Sequence, residues 1–240
     1  MRVAPALSAA ERPLVARMWA LRALAERRAT ARFTRLAARL EDVGAPALVL
    51  ELARKAVDDE RRHEALCAEM ACSFGHDPIT FPDTPTSEIG AVDRPRADRV
   101  LHEIIALCCV TESINAAMLQ RSIELTEEPR SREATRAILR DEVDHARLGW
   151  GYLASRAADA PALGLRLPEM LDATTPAELL APATHERTSP ALIAHGVLPR
   201  SELRAILAEA LAEVVLPGLE RFGVEAAPGR AWLAERLPEG

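Results

Sequence analysis

The chain has 240 residues, 49% of them hydrophobic, which is enough to bury one sizeable core. Its net charge is −6, and almost all of its positive charge sits on arginine, Lys55 being the only lysine. No strongly basic stripe exists to neutralise phosphates, which argues against a general nucleic-acid binder. Aromatic residues make up only 3% and Ala, Leu, Arg and Glu dominate, so helix is favoured over strand. Cysteines at 67, 72, 108 and 109 form no Cys-x-x-Cys pair, so neither a zinc knuckle nor a rubredoxin-type iron site is encoded. The opening "MRVAPALSAAERP" lacks the continuous apolar stretch of a signal peptide, and the longest apolar run, "IIALCCV" at 104–110, is far too short to cross a membrane. The expectation is a soluble cytoplasmic protein with no membrane partner.

In chain order, Pro13 suits a first helical turn, and a helical pattern runs from there to about 42, with Trp19, Ala23, Glu26, Phe33 and Leu40 on one face. "DVGAP" at 42–46 breaks it. A second helix spans about 46–74, with Leu52, Ala56, Glu60, His63, Cys67 and Met70 on its inward stripe and Gly75 as its C′ residue. Residues 76–94 hold three prolines and one glycine and read as a long irregular connection. A third helix covers about 95–126, with Leu101, Ile105, Cys108, Glu112 and Leu119 aligned. "TEEP" at 126–129 turns the chain into a fourth helix, to about 157, which aligns Ile138, Glu142, His145, Gly149 and Tyr152. Two short connections and one long one predict two antiparallel hairpins joined by a crossover, a four-helix bundle over 1–157. Residues 158–240 are expected to form a C-terminal helical extension packed on the bundle. Its main helix falls within 199–223, and Pro217 is expected to kink or end it.

One motif occurs twice: Asp59-Glu60-Arg61-Arg62-His63 and Asp141-Glu142-Val143-Asp144-His145. Residues i and i+3 of a helix point the same way, so each copy presents a carboxylate and an imidazole to one point. Hard oxygen with borderline nitrogen is a ligand set that iron or manganese accepts. A bundle-core two-metal site also needs one Glu from each of the other two helices. The hairpins select them. The midpoint of Glu26 and Glu60 is residue 43, inside "DVGAP", and that of Glu112 and Glu142 is residue 127, inside "TEEP". Glu41, Glu103 and Glu124 fail this test. The candidate metal ligands are therefore Glu26, Glu60, His63, Glu112, Glu142 and His145. The rival reading, a solvated charged face with surface histidines, would place these six on otherwise apolar stripes, where unpaired charges are costly. Asp59 and Asp141 each precede a ligand Glu by one position and point sideways, where each could accept the far N–H of the other hairpin's histidine.

The order Glu26, Asp59-Glu60-x-x-His63, Glu112, Asp141-Glu142-x-x-His145 resembles the di-iron carboxylate branch of the ferritin-like superfamily. It is similar to the ligand order of ribonucleotide reductase small subunits, aldehyde-deformylating oxygenases, rubrerythrins, p-aminobenzoate-type N-oxygenases and tRNA-modifying di-iron hydroxylases. The resemblance covers residues 12–157. It implies a ferritin-like bundle holding two iron ions, or a Mn/Fe pair, that activate O₂ to oxidise a small organic substrate with electrons from a donor the sequence does not identify. A homodimer is one form such a chain could take. The chain also departs from these relatives. The position of the radical tyrosine in reductase subunits is Cys67, the extra histidine of the N-oxygenases is replaced by Ile138, and the rubrerythrin Cys-x-x-Cys module is missing. Phe33, Cys67, Cys108, Gly149 and Tyr152 are the residues expected to line a substrate cavity. Two other functions compete: a ferroxidase or peroxide-scavenging rubrerythrin-like protein, and a metal-free helical scaffold that binds a partner.

Overall fold

A computed structural model of the protein describes residues 4–81, 89–90, 94–181 and 188–238, with the side chains of 159–162 excepted. Every regular element among them is helical. Four long helices form the body: α1 (Arg12–Asp42), α2 (Ala47–Ser73), α3 (Arg96–Leu125) and α4 (Pro129–Ser155). α1 packs along α2, α3 along α4, and α2 crosses to α4. In the crossover between the hairpins, residues 82–88 and 91–93 lie outside the described residues.

The boundaries follow local chemistry. Pro13 occupies the first turn of α1 and Pro129 that of α4, where the missing N–H would have had no helical partner anyway. Glu128 caps α4 by accepting from the N–H groups of Arg130 (3.1 Å) and Ser131 (2.6 Å). α1 and α2 both stop on a glycine with positive φ, Gly44 at 67° and Gly75 at 99°. In each, the N–H one residue past the glycine reaches back to a carbonyl of the last turn: Ala45 to Leu40 at 3.0 Å and His76 to Ala71 at 3.1 Å.

α3 is long and apolar enough to span a bilayer by length and composition, yet 78% of its most apolar window is buried inside the protein. It is the core helix of this bundle. Its middle, Ile105–Glu112, is wound as a π-helix, and the Thr111 hydroxyl bonds the Ala106 carbonyl five residues back at 2.9 Å. π turns inside α-helices are rare and often mark functional positions.

The C-terminal region adds 3₁₀ turns over Ala157–Arg166, then α5 (Leu167–Thr174), α6 (Ala177–Leu180), α7 (Pro190–Ala194), α8 (200–221) and α9 (Ala227–Arg236). α8 passes through Pro217 without ending. A π turn over Ala210–Val215 immediately precedes the proline and takes up its missing N–H and ring bulk. These helices share one apolar core with the bundle: Leu167, Leu171, Leu211 and Val215 join Phe33, Leu36, Ile104 and Leu153 in a single cluster. The indole of Trp150 lies against Gly218, where an added Cβ would come within 2.7 Å of the ring, and Trp150 stacks on Phe222 at 6.2 Å.

A second apolar cluster gathers Val15, Trp19, Ala23, Cys67, Met70, Leu119, Ala134 and Ile138. In α1, α2 and α4 the charged residues of the repeated motif, or their partner Glu, fall between the part belonging to one cluster and the part belonging to the other, and in α3 Glu112 lies near that boundary. The bundle thus has a polar layer between two dry ones.

Candidate metal centre

All six expected ligands converge in that layer, and all are buried, from 0% exposure for Glu142 to 8% for Glu26. Ligand atoms of Glu26, Glu60, His63 and Glu142 lie within 4.8 Å of one another, as do those of Glu112, Glu142 and His145. Glu142 belongs to both groups. The two histidines turn Nδ1 inward. His145 Nδ1 is 3.2 Å from Glu60 Oε1 and 3.0 Å from Glu142 Oε2. His63 Nδ1 is 3.6 Å from Glu60 Oε2 and 3.7 Å from Glu142 Oε1. Each of these two carboxylates therefore offers one oxygen to each imidazole.

The outward Nε2 atoms meet the motif aspartates crosswise: His63 with Asp141 at 3.1 Å, and His145 with Asp59 at 3.3 Å. Such a bond from the far ring nitrogen fixes the tautomer that leaves Nδ1 free as a ligand. Two cations that the sequence reading did not single out hold the aspartates. Lys55 Nζ lies 2.8 Å from Asp59, and Arg62 reaches Asp59 at 2.7 Å and Asp141 at 3.1 Å. Lys55, Asp59 and Arg62 sit at i, i+4 and i+7 on one face of α2, and that spacing was the available signal.

Electrostatics shows what the layer costs. Burial, then repulsion from Glu60 and Glu142, raises Glu26 well above the usual carboxylate range. Burial and the same two neighbours do so for Glu112. Burial also pushes Glu60 upward, but the neighbouring imidazoles of His145 and His63 outweigh it and bring it to about 2. Burial works against charge on the histidines too. Their carboxylate neighbours win, raising His63 and taking His145 to about 11. Three buried atoms of the six candidate ligands have no hydrogen-bond partner: Glu60 Oε2, His63 Nδ1 and Glu142 Oε1. They are the same three that face one another on the His63 side. Buried acceptors facing each other with no donor between them are costly, and a cation resolves that cost. The donor set of carboxylate oxygens and imidazole nitrogens fits a metal ion.

The excluded glutamates have partners elsewhere. Glu103 is fully buried between Arg35 (3.1 Å) and Arg39 (2.7 Å), and Glu41 pairs with Arg54 at 3.1 Å.

A cavity of about 420 Å³ opens beside the polar layer and is lined by Glu26, Glu60 and Glu112. One wall is α1, another α3, and the C-terminal region closes it with Thr175, Leu179, Val197 and Leu207. None of the five residues expected to line a substrate cavity does so. Phe33, Cys67, Cys108 and Tyr152 are packed in the apolar clusters, and Phe33 lies against the His145 ring at 5.1 Å. Gly149 leaves no room: an added Cβ would sit 2.5 Å from Cys108 Cβ and 2.9 Å from the Cys109 backbone nitrogen. Its role is the close approach of α4 to the π turn of α3.

No known protein family matches the chain, and neither the curated proteins nor the solved structures include one with significant similarity to it.

Proposed function

We propose that the chain is a ferritin-like, non-haem di-iron carboxylate oxidoreductase that activates O₂ to oxidise a small organic substrate. The observation that carries this reading is the double reach of Glu60 and Glu142, each with one oxygen toward each histidine. Two ions held by these residues would account for the burial of all six together. Glu26 would complete the His63 side and Glu112 the His145 side. Two helical hairpins with a long crossover suit the same superfamily. A Mn/Fe pair would satisfy the same ligands. When bound, the metal pair supplies the redox chemistry that O₂ activation requires.

The chain's own residues supply the rest. Asp59 and Asp141 hold the imidazoles in one tautomer, with Lys55 and Arg62 behind them. The apolar clusters above and below exclude water. Glu26, Glu60 and Glu112 are the ligands that border the cavity, so a molecule held there lies next to both sides of the cluster. That cavity favours an organic substrate over a ferroxidase or peroxide-scavenging role, which needs room only for a small oxidant.

The test is anaerobic reconstitution with Fe(II), followed by elemental analysis and O₂-uptake measurements. Two irons per chain are expected. A preparation that takes up none would sink the reading. Rapid consumption of Fe(II) or peroxide that no organic compound alters would move the assignment to the ferroxidase or scavenging alternative.

A further inference from the structure

The cavity contains a charge that nothing in the metal cluster uses. α1 turns Met18, Arg22, Ala25, Glu26, Ala29 and Arg32 toward it. Alanines at 25 and 29 keep the wall beside Glu26 open. Arg22 forms no ion pair among the described residues, and its Nη1 is buried without a hydrogen-bond partner. Its guanidinium stacks over the Trp19 ring at 5.0 Å, which holds it against the wall. Burial lowers its pKa from the ordinary arginine value, as expected for a cation short of a counter-ion. The rest of the lining is mostly apolar, with Leu107, Ile114 and Met118 from α3 and Leu179 and Leu207 from the C-terminal region, and Thr111, Asn115, Thr174 and Thr175 as its neutral polar members.

A buried guanidinium at one end of an apolar cavity is stabilised by an anion with two oxygens in a plane. We propose that the cavity takes an organic acid, a carboxylate on a largely apolar body, with the carboxylate paired to Arg22. The volume, about 420 Å³, lies at the lower end of the roughly 300–1,000 Å³ typical of small-molecule sites. Glu26 is one helical turn, about 6 Å, along α1 from Arg22, so the acid's chain passes the metal ligands a few bonds from its carboxylate. Arg32, about 15 Å along α1 from Arg22, also borders the cavity with its Nε buried and unpartnered, but only Arg22 is held in place by an aromatic ring. Binding of the acid stands independently of the metal; its identity as the substrate rests on the di-iron reading.

The experiment is isothermal titration of the full chain with decanoate, decan-1-ol and decylamine, which share one apolar body and differ in the head group. It is run with and without reconstituted iron, and metal content is measured on every preparation. Decanoate is expected to bind at least tenfold more tightly than either analogue. Arg22→Met should erase that preference, Arg22→Lys should keep part of it, and Arg32→Met should keep it, all at unchanged metal content. Decanol binding as tightly as decanoate to the unmodified chain overturns the proposal without recourse to any variant. So does an Arg22→Met chain that keeps the full preference. A chain that prefers decanoate through Arg22 yet takes up no iron leaves the anion site standing and removes the di-iron reading.

Discussion

The two copies of Asp-Glu-x-x-His are chemically alike and structurally unequal. Around His145 the cluster is tight: Nδ1 lies 3.0–3.2 Å from two carboxylates, and Asp59 behind it is 2% exposed. Around His63 it is loose: the corresponding distances are 3.6 and 3.7 Å, and Asp141 is 20% exposed. All three of the cluster's unpartnered buried atoms lie on the loose side. The repeated sequence motif thus makes one polar cluster with two unequal sides, one closed by its own hydrogen bonds and the other with unpartnered buried atoms that a cation would satisfy. The His145 side is also the one whose extra carboxylate, Glu112, is carried by a π turn.

The largest effect should come from the residue both sides share. Glu142→Ala is expected to abolish metal uptake at both positions. Glu26→Ala should spare the His145 side, and Glu112→Ala the His63 side. Elemental analysis after reconstitution reads all three. Full occupancy in Glu142→Ala would refute the shared-ligand geometry.

The ligand set was legible because helical spacing and hairpin midpoints are local and nearly geometric: two short turns fix which glutamates face which. The same arithmetic set aside Glu103, which is buried between Arg35 and Arg39. The cavity was not legible, for two physical reasons. Its roof is built by residues within 174–179 and 196–207, whose docking no periodicity in the bundle predicts. The π turn also changes which residue shares a face with Glu112. In an α-helix that residue is Cys108, at i−4; with i→i+5 bonding it is Leu107, which lines the cavity while Cys108 turns to Gly149.

The second prediction concerns pH. In metal-depleted protein, four groups of the layer bind protons more tightly when folded than when unfolded: Glu26, Glu112, His63 and His145. For the histidines, the stability gained is fully present below the unfolded pKa near 6.5 and is lost as pH climbs toward the folded value, about 11 for His145. For the raised glutamates, the cost begins at the unfolded value of about 4.5 and grows as pH rises. Both signs agree. Between pH 6.5 and 9 the metal-depleted chain should lose about 1.4 kcal/mol of stability per pH unit through His145, and the other three act in the same direction. Metal replaces those protons, so the loaded chain should change far less. Thermal unfolding with and without a chelator checks this, and parallel pH profiles would break it.

Third comes the difference between the aspartates. Asp59→Asn removes the buried partner of the tight histidine, which the exposed Lys55 and Arg62 hold from outside, and should weaken metal binding roughly 10–100-fold. Asp141→Asn, in a wetter place, should cost less. Equal losses in a competition assay with a metallochromic chelator would show that the inequality of the two sides is only geometric.

The finest test lies one turn beyond each histidine, where one motif is followed by Cys67 and the other by Gly149. Cys67 fills space in the upper apolar cluster, so Cys67→Ala should lower stability by about 1–2 kcal/mol through lost packing and leave metal binding intact. Gly149→Ala gains roughly 1 kcal/mol of helix propensity, yet its methyl would meet the Cys108 Cβ and the Cys109 backbone nitrogen. A backbone atom cannot rotate away, so the π turn must shift, and Glu112 sits at its end. Gly149→Ala should therefore be destabilising by about 1–3 kcal/mol, and it should also weaken the His145 side selectively. A stability loss with both metal positions unchanged would mean that the π turn yields without moving Glu112, and that the close approach at Gly149 serves packing alone.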